Sequence, residues 1–320
     1  MKKFFLLLIA IFIVKVAVWA VTNKDNILDR GDRPDETICA STADSFSNFP
    51  NKNCEEILVT EHEHEQRGQT PMGSETVFSD FFAELNAIPV CNGNDTDPDN
   101  NKDHEIHTYS GFTLCYRESY EDAEWVAYIL TREELKAVTG RTNDFRPDPS
   151  ISTGSSDLSD YKKSGYDRGH LAPAADMEWS IKSCRESFFM SNMTPQAPQL
   201  NRGMWQQLES QVRKWADRFG KVIVVTGPVL EKNAEKYPAI GANRVAVPEY
   251  FFKSILAQSE DGTAMTINFI MPNSKCEGTL WDYCVTADEI ESRTGFDIFS
   301  FLPDSEEEKI ESSVNIEMWK

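Results

Sequence analysis

A short motif around residue 170 contains a group that could carry out acid–base chemistry. The stretch YDRGHLAPAADM (166–177) holds His170, which is the only histidine after residue 107. Imidazole changes its charge near neutral pH and is therefore suited to take a proton from water. A lone histidine is more often a hydrogen-bonded core or surface group. His170 therefore needs partners elsewhere in the chain to be a catalyst.

Such partners occur downstream, on a strongly periodic segment. NRGMWQQLESQVRKWADRFG (201–220) has apolar residues at helical spacing and ends on a glycine. It predicts a helix with Asn201 at its N-cap. Glu209 and Arg213 lie one turn apart at the border of the apolar face. Taken in isolation, these residues are most simply an N-cap and an i,i+4 ion pair.

Taken together, these groups suit the hydrolysis of a phosphodiester. A hard divalent cation prefers oxygen ligands and keeps several waters, so a single Asn carbonyl can suffice as its direct protein ligand. Such a cation stabilises charge on the transition state and on the departing oxygen. A neutral imidazole can take a proton from water, and arginines can bind the non-bridging oxygens.

The elements that must position these groups mix strands with helices. EWVAYILT (124–131) and KVIVVTGPVL (221–230) predict buried strands, and EYFFKSILAQ and TAMTINFIMP predict a hairpin around SEDG (259–262). We expect His170 on a short extended segment and a second strand over ESFFMSNMTPQ (186–196), which leads into the helix. Because strands and helices do not alternate regularly, the sequence predicts an α+β fold.

At these residues the chain resembles the DNA/RNA non-specific endonucleases of the ββα-metal superfamily, which include secreted bacterial nucleases and mitochondrial endonuclease G. The matching pieces are AEWVAYILT, YDRGHLAPAADM, SNMTPQAPQLNRGMWQQLE and VVTGPVL, and they span roughly residues 104–303. The resemblance implies a ββα-metal fold with a mixed or antiparallel sheet flanked by helices. It also implies hydrolysis of DNA and RNA without sequence preference, leaving 5′-phosphate ends.

The resemblance assigns roles to the residues of the metal centre. It implies that His170 is the general base and that Asn201 binds Mg²⁺ directly, with Mn²⁺ as a substitute. Glu209 would bind the metal through water. Asp167 and Gly169 would shape the turn that aims His170.

Arginines complete the site that the resemblance implies. Arg168 and Arg213 would contact the phosphate. The loop RTNDFRPDP (141–149) offers a further phosphate ligand in Arg141 or Arg146, and we favour Arg141.

The amino-terminal segment predicts an exported protein. Residues 1–20 begin with two lysines and continue with an apolar run, as in a secretory signal peptide. An uncleaved membrane anchor is the alternative, although Lys15 interrupts the run before it reaches the length of a membrane span. We therefore expect an exported protein, periplasmic or extracellular, with no stable membrane association after removal of the signal.

Charge divides the remaining chain. The formal net charge is -20, and residues 21–105 carry 19 acidic and 6 basic side chains. We expect an acidic, polar extension over 21–103, the nuclease domain over 104–303 and an acidic tail over 304–320. Because phosphate binding is driven by Lys and Arg, this acidity bears on substrate affinity more than on the chemistry.

Seven cysteines in an exported chain predict disulfides, and a bond between Cys276 and Cys284 would close a short loop. Three features of the extension have weaker interpretations. DTDPDNNKD (95–103) resembles a calcium loop without the EF-hand spacing, EHEHE (61–65) could chelate a transition metal, and VFSDFFAELNAIPV (77–90) could form a helix.

Two other function classes are consistent with parts of the sequence. A catalytically silent module on the same fold could bind nucleic acid or a surface polymer, although the complete His, Asn and Glu set argues against it. An exported hydrolase of another kind would need a signature such as G-x-S-x-G or H-E-x-x-H, and the sequence has neither. Family members are often dimers, so a homodimer is an alternative to a monomer.

Overall fold

The computed structural model describes residues 103–320, which form a central antiparallel sheet of seven strands in the order β1-β2-β3-β6-β9-β10-β11. The strands are β1 His104–Thr108, β2 Thr113–Arg117, β3 Asp122–Thr131, β4 Asp167–His170, β5 Met193–Gln196, β6 Lys221–Pro228, β7 Ala239–Ile240, β8 Val245–Ala246, β9 Tyr250–Gln258, β10 Ala264–Pro272 and β11 Cys284–Val285. The α-helices are α1 Leu158–Tyr161, α2 Ile181–Glu186, α3 Gln206–Phe219, α4 Ala287–Thr294 and α5 Asp304–Glu311. Single 3₁₀ turns occupy Glu118–Tyr120, Ala174–Asp176, Met190–Asn192, Ala234–Lys236, Leu280–Tyr283 and Ile316–Met318.

The middle of the sheet consists of the segments richest in β-branched and aromatic residues. β6 pairs with β3 on one side and with β9 on the other, and it is buried along nearly its whole length. β9 and β10 form the predicted hairpin. Such residues pack well on a pleated surface, and a strand covered on both faces needs no polar alternation. These predictions are confirmed.

Helices cover both faces of the sheet. On one face, α3 buries Leu208, Val212 and Trp215 against β3, β6 and β9. On the other face, α4 and the segment after it contribute Ile290 and Phe299 to a second apolar cluster. The α+β class is therefore confirmed, with an antiparallel sheet between helices.

Residues near the carboxyl terminus pack against α3. The Trp319 ring lies 4.9 Å from the Trp215 ring, and Trp215 Nε1 donates a hydrogen bond to the Trp319 carbonyl at 2.8 Å. The high acidic content of 304–320 conceals this aromatic anchor. The segment is amphipathic and contributes to the core.

β4 and β5 form a separate two-stranded antiparallel ribbon. The ribbon and the helix α3 that follows it make up the β-β-α arrangement. The second strand is shorter than predicted. α2, capped by the Ser180 hydroxyl, and the 3₁₀ turn Met190–Asn192 occupy most of the segment 186–192, and only Met193–Gln196 is extended.

The predicted Cys276–Cys284 disulfide is wrong, because both residues remain thiols. Hydrogen bonds close the loop between them instead. The Tyr283 hydroxyl donates to the Glu277 carbonyl at 2.7 Å and accepts from its N–H at 2.9 Å. The loop therefore has a local closure that needs no sulfur–sulfur bond.

Several sequence interpretations lie outside the described residues. They concern the segment 1–20, the extension with EHEHE and the helix at 77–90, residues 95–102 of the calcium-like loop, and Cys39, Cys54 and Cys91. Within residues 103–320, the helices are all too short or too polar to span a bilayer.

Gly227 of β6 permits a close approach of two strands and gives a test of the packing. A Cβ at this position would lie 2.3 Å from the backbone carbonyl oxygen of Glu124, which cannot move independently of β3. We expect Gly227→Ala to lower the free energy of unfolding by about 3 kcal/mol. Gly140→Ala is the matched control, because its Cβ would meet nothing within 4 Å. Urea unfolding of both variants measures the difference, and equal stabilities would contradict the packing described here.

Candidate active site

A cavity of about 390 Å³ lies between the β4–β5 ribbon and the start of α3. All six side chains that the sequence selects for catalysis, phosphate contact and metal binding line it. They are Arg141, Arg168, His170, Asn201, Glu209 and Arg213. The ribbon and α3 therefore bring together residues that are separated by up to 72 positions in the chain.

Backbone and amide hydrogen bonds hold His170 at the end of β4. His170 pairs with Met193 of β5, and the next residues are fixed by Asn192. The Asn192 side chain accepts from the Ala172 N–H at 2.9 Å and donates to the Ala172 carbonyl at 3.0 Å. Gly169 lets the ribbon close, because a Cβ there would lie 2.3 Å from atoms of the Gln196 side chain. Asn192 and Gly169 thus fix the position of the imidazole.

The imidazole of His170 is enclosed by aromatic rings and is only 7% exposed. The Phe145 and Phe188 rings lie 5.6 and 5.0 Å from it, each edge-on. Burial, together with the positive charges of Arg141 and Arg168, lowers the pKa of His170 to about 3. Nε2 has no hydrogen-bond partner within the described part of the chain. At neutral pH the ring is uncharged, and it borders the cavity.

Asn201 does not cap α3, contrary to the sequence prediction. It lies in a wide helical turn, Leu200–Trp205, that precedes α3 and departs from helical geometry at Gly203. Its backbone N–H donates to the Ala197 carbonyl at 3.0 Å. The Asn201 Nδ2 donates to Asp167 Oδ2 at 3.0 Å. Because the amide nitrogen is committed to Asp167, the carbonyl oxygen is the atom left for a cation.

Asp167 connects the ribbon to this turn. Besides Asn201 it accepts two hydrogen bonds from Arg202, at 2.7 Å from Nε and 2.5 Å from Nη2. Partial burial opposes ionisation, but these hydrogen bonds outweigh it and keep the pKa of Asp167 below its ordinary value. We expected a structural role for Asp167, and in the structure that role is to orient the Asn201 side chain.

Glu209 lies in the first turn of α3 and faces the cavity. Burial raises the pKa of its carboxyl group, and the nearby positive charge of Lys253 opposes that shift. Lys253 is a residue that sequence reasoning missed. It is 0% exposed in the middle of β9, and its Nζ lies 4.8 Å from the Trp205 ring. The signal was available, because a lysine inside the apolar run EYFFKSILAQ is costly to bury without a nearby anion.

Arg213 makes an ion pair that the sequence did not predict. Its Nη1 donates to Asp176 Oδ1 at 2.7 Å, and Asp176 also accepts from the Tyr128 hydroxyl at 2.8 Å. Asp176 is buried, so this pair fixes the guanidinium at the wall of the cavity. The expected partner Glu209 contributes only longer-range attraction. The sequence did contain a sign of this pair, because Asp176 is a carboxylate inside the apolar stretch LAPAADM (171–177).

The remaining arginines stack on the aromatic rings that enclose His170. The Arg168 guanidinium lies 4.2 Å from the Phe145 ring, and that of Arg141 lies 5.1 Å from the Phe188 ring. Arg146, the alternative to Arg141, instead binds Asp144 and the Arg185 carbonyl, and it stacks on Phe189 outside the cavity. The structure therefore places Arg141 in the cavity and Arg146 outside it.

The lowered pKa of His170 predicts a pH-dependent stability. The unfolded chain binds a proton at this group below pH 6.5, whereas the folded chain binds it only near pH 3, so stability is lost as the pH falls through this window. Between pH 7 and 5 we expect about 2 kcal/mol of loss from this residue. Urea unfolding of His170→Gln should show a correspondingly smaller decrease, because the shared carboxylates cancel in the comparison. An unaltered decrease in His170→Gln would contradict the prediction.

The chain is similar to several curated nucleases. It is 34% identical to human mitochondrial endonuclease G over 202 residues, which cover 60% of this chain and 68% of that protein. It is 33% identical to the mitochondrial nuclease EXOG of Danio rerio over 211 residues, which cover 62% of each chain. It is 31% identical to the mitochondrial nuclease of Saccharomyces cerevisiae over 235 residues, which cover 67% of this chain and 71% of that protein.

These relatives correct one expectation from the sequence. An exported location, periplasmic or extracellular, is wrong, because the similar proteins are mitochondrial nucleases. A basic and apolar amino-terminal segment indicates that a chain is targeted, but a targeting signal is read by a receptor, and its bulk composition does not identify the destination.

The fold and the family agree with one another. In a crystal structure of the EndoG/EndoGI complex, a chain 32% identical to this one superposes with a TM-score of 0.58, over 63% of this chain and 88% of that chain. The family model described as DNA/RNA non-specific endonuclease matches residues 93–305, which contain every residue of the cavity. The chain therefore belongs to the DNA/RNA non-specific endonuclease family.

Proposed function

We propose that the cavity hydrolyses phosphodiester bonds of DNA and RNA in a Mg²⁺-dependent reaction, with His170 as the general base. The observation that carries this proposal is that an uncharged imidazole and an amide side chain line the same cavity. His170 is neutral with an unbonded Nε2, and Asn201 has its amide nitrogen turned to Asp167 and its carbonyl oxygen left over. The first suits proton transfer from water and the second suits a hard cation.

The donor set fits a hydrated Mg²⁺ ion. Asn201 would hold it directly, and Glu209 would bind its water shell, in a polar cavity that has room for several waters. When bound, the ion would supply charge stabilisation at the scissile phosphate and the departing oxygen, and Mn²⁺ offers the same chemistry. Burial raises the pKa of Glu209 to about 7, and the positive charge of Lys253 opposes that shift and so favours the ionised form that ligation requires.

The arginines prepare His170 for its role. Burial lowers the pKa of the imidazole in the free protein, and the charges of Arg141 and Arg168 lower it further. A phosphate bound to these two guanidiniums would offset their charges and remove the electrostatic part of this lowering. Arg213, held by Asp176, would present its positive charge from the opposite wall. Attack by the water that His170 deprotonates would leave a 5′-phosphate end.

Recognition through phosphates would give cleavage without sequence preference. The cavity is lined by Arg141, Arg168, Arg202 and Arg213, and guanidinium contacts to phosphate oxygens carry no sequence information. The names of the relatives support nuclease action and a mitochondrial site for it. Monomer or homodimer is a separate question, which sedimentation of the purified chain would answer.

His170 and Asn201 should fail in different ways when replaced. We expect His170→Ala to lower kcat by about 10²–10⁴-fold with an unchanged Mg²⁺ midpoint, because the base is lost and the metal ligand is kept. Asn201→Ala should shift the Mg²⁺ midpoint to higher concentration. Cleavage of supercoiled plasmid and of a structured RNA, titrated with Mg²⁺ and compared with an EDTA blank, measures both.

Circular dichroism of His170→Ala and Asn201→Ala is the control that shows whether both variants fold. Near-normal turnover of His170→Ala would remove this residue from the mechanism, and an unchanged metal titration of Asn201→Ala would contradict the ligand assignment. Activity that persists in EDTA would contradict Mg²⁺ dependence itself.

The salt dependence of cleavage tests the phosphate contacts. Each neutralised phosphate releases counterions, so kcat/KM should fall as salt rises, and Arg168→Met should reduce the logarithmic slope by about 1. Arg218→Met is the matched control, since Arg218 stacks on Phe219 at a different cavity. An equal slope change in both variants would mean that general charge, and not this contact, is responsible.

A further inference from the structure

Three donor side chains of different chemistry meet on adjacent strands away from the His170 cavity. They are His104 of β1, Cys115 of β2 and Glu124 of β3, and their ligand atoms all lie within 4.8 Å of one another. His104 Nδ1 lies 2.7 Å from Glu124 Oε1 and 4.0 Å from Cys115 Sγ. Cys115 and Glu124 are each 1% exposed.

A β-bulge brings Glu124 into this cluster. Cys115 pairs with Trp125, but Tyr116 pairs with Ala123, so Glu124 is the extra residue of β3. A bulge re-aims a side chain and is usually a preserved feature of a fold. The neighbouring strand β6 accommodates it with Gly227, whose missing side chain leaves space for the Glu124 carbonyl. The β-bulge and the glycine at position 227 therefore both support the position of the Glu124 carboxylate.

The carboxylate is oriented as a ligand would be. Glu124 Oε2 lies 3.6 Å from Arg117 Nη1, while Oε1 faces His104. Arg117 is itself held by Asp103, at 3.1 Å from its Nε. One oxygen thus has a fixed positive partner, and the other is directed at the imidazole and the thiol. Such outer contacts commonly fix the orientation of metal ligands.

The cluster lies on the opposite face of the sheet from the His170 cavity. Cys115 and Trp125 belong to the apolar cluster that packs beneath α4, whereas the neighbouring Val126 belongs to the cluster beneath α3. His104 is 19% exposed and offers the route from solvent. This site is therefore separate from the nuclease mechanism and does not depend on it.

We propose that His104 Nδ1, Cys115 Sγ and Glu124 Oε1 form a binding site for Zn²⁺, with water as the fourth ligand. Imidazole, thiolate and carboxylate together match a borderline cation, whereas Mg²⁺ and Ca²⁺ prefer oxygen alone. A tetrahedral zinc site spaces its donor atoms by roughly 3.3–3.8 Å. His104 Nδ1 lies 2.7 Å from Glu124 Oε1 and 4.0 Å from Cys115 Sγ. Each distance reaches the tetrahedral range with a shift of about 1 Å or less when the ion replaces the proton between His104 and Glu124. The thiol proton is released to solvent on binding.

Cobalt is the spectroscopic probe for this site. The full chain, reduced and stripped with a chelator, is titrated with Co²⁺ in saturating Mg²⁺. We expect one equivalent to bind with a thiolate-to-cobalt charge-transfer absorption, and Zn²⁺ to displace it. Cys115→Ser should abolish the absorption, and His104→Gln should weaken Zn²⁺ binding by about tenfold or more. Nuclease activity in Mg²⁺ should remain unchanged in both variants.

Matched controls separate this site from other donors. Cys184→Ser removes a different buried thiol, and the double variant His62→Gln and His64→Gln removes the histidines of EHEHE. Both should keep the absorption and the affinity. A charge-transfer band that survives in Cys115→Ser, or a wild-type chain that binds no equivalent, would overturn the proposal. If Cys115→Ser does not fold, an unchanged Zn²⁺ affinity in His104→Gln overturns it equally, since His104 lies at the sheet edge and tolerates replacement.

Discussion

The hydrogen bonds of Asp167 are the constraint on which the geometry of the cavity depends. β4 carries this carboxylate three residues before His170, and the wide turn before α3 presents Asn201 and Arg202 to it. Charge-assisted hydrogen bonds of this kind are stronger and more directional than neutral ones. They set the distance between a strand and a turn that the covalent chain leaves more than thirty residues apart. The position of His170 relative to Asn201 follows from this link, and the rotamer of Asn201 follows from it as well.

Buried side chains of opposite charge lie close together near the Asp167 hydrogen bonds. Arg213 lies against Asp176, and Lys253 lies near both Asp176 and Glu209, in a layer between α3 and β9. Each charge would be expensive to bury alone, and each has an opposite charge within reach. This layer also explains how an acidic chain can act on a polyanion. The net charge of -20 describes the whole molecule, whereas the cavity itself is lined by several arginines.

The sequence predicted which residues line the cavity better than it predicted the structure that supports them. His170, Asn201 and Glu209 follow from a short motif and a helical periodicity, which are local features. Lys253 and Asp176 could not be assigned partners in this way, because their countercharges come from distant elements. The wide turn at Asn201 could not be predicted from the local sequence either, because the helical pattern of apolar residues continues through it. Trp319 was missed for the opposite reason, because abundant acidic residues around it conceal a single buried ring.

β3 shows how one strand can serve two separate sites. Side chains alternate along it, so Val126 and Tyr128 pack beneath α3 while Trp125 and Ala127 pack on the other face. Tyr128 reaches Asp176 from the first face, and Glu124 reaches His104 and Arg117 from the bulge. Because the period is two residues, a shift of one position would exchange the two faces and bury the wrong groups. The bulge absorbs the extra residue at Glu124 and leaves the alternation from Trp125 onward in register. The support of the nuclease cavity and the placement of the His104, Cys115 and Glu124 cluster are therefore two consequences of the same strand register.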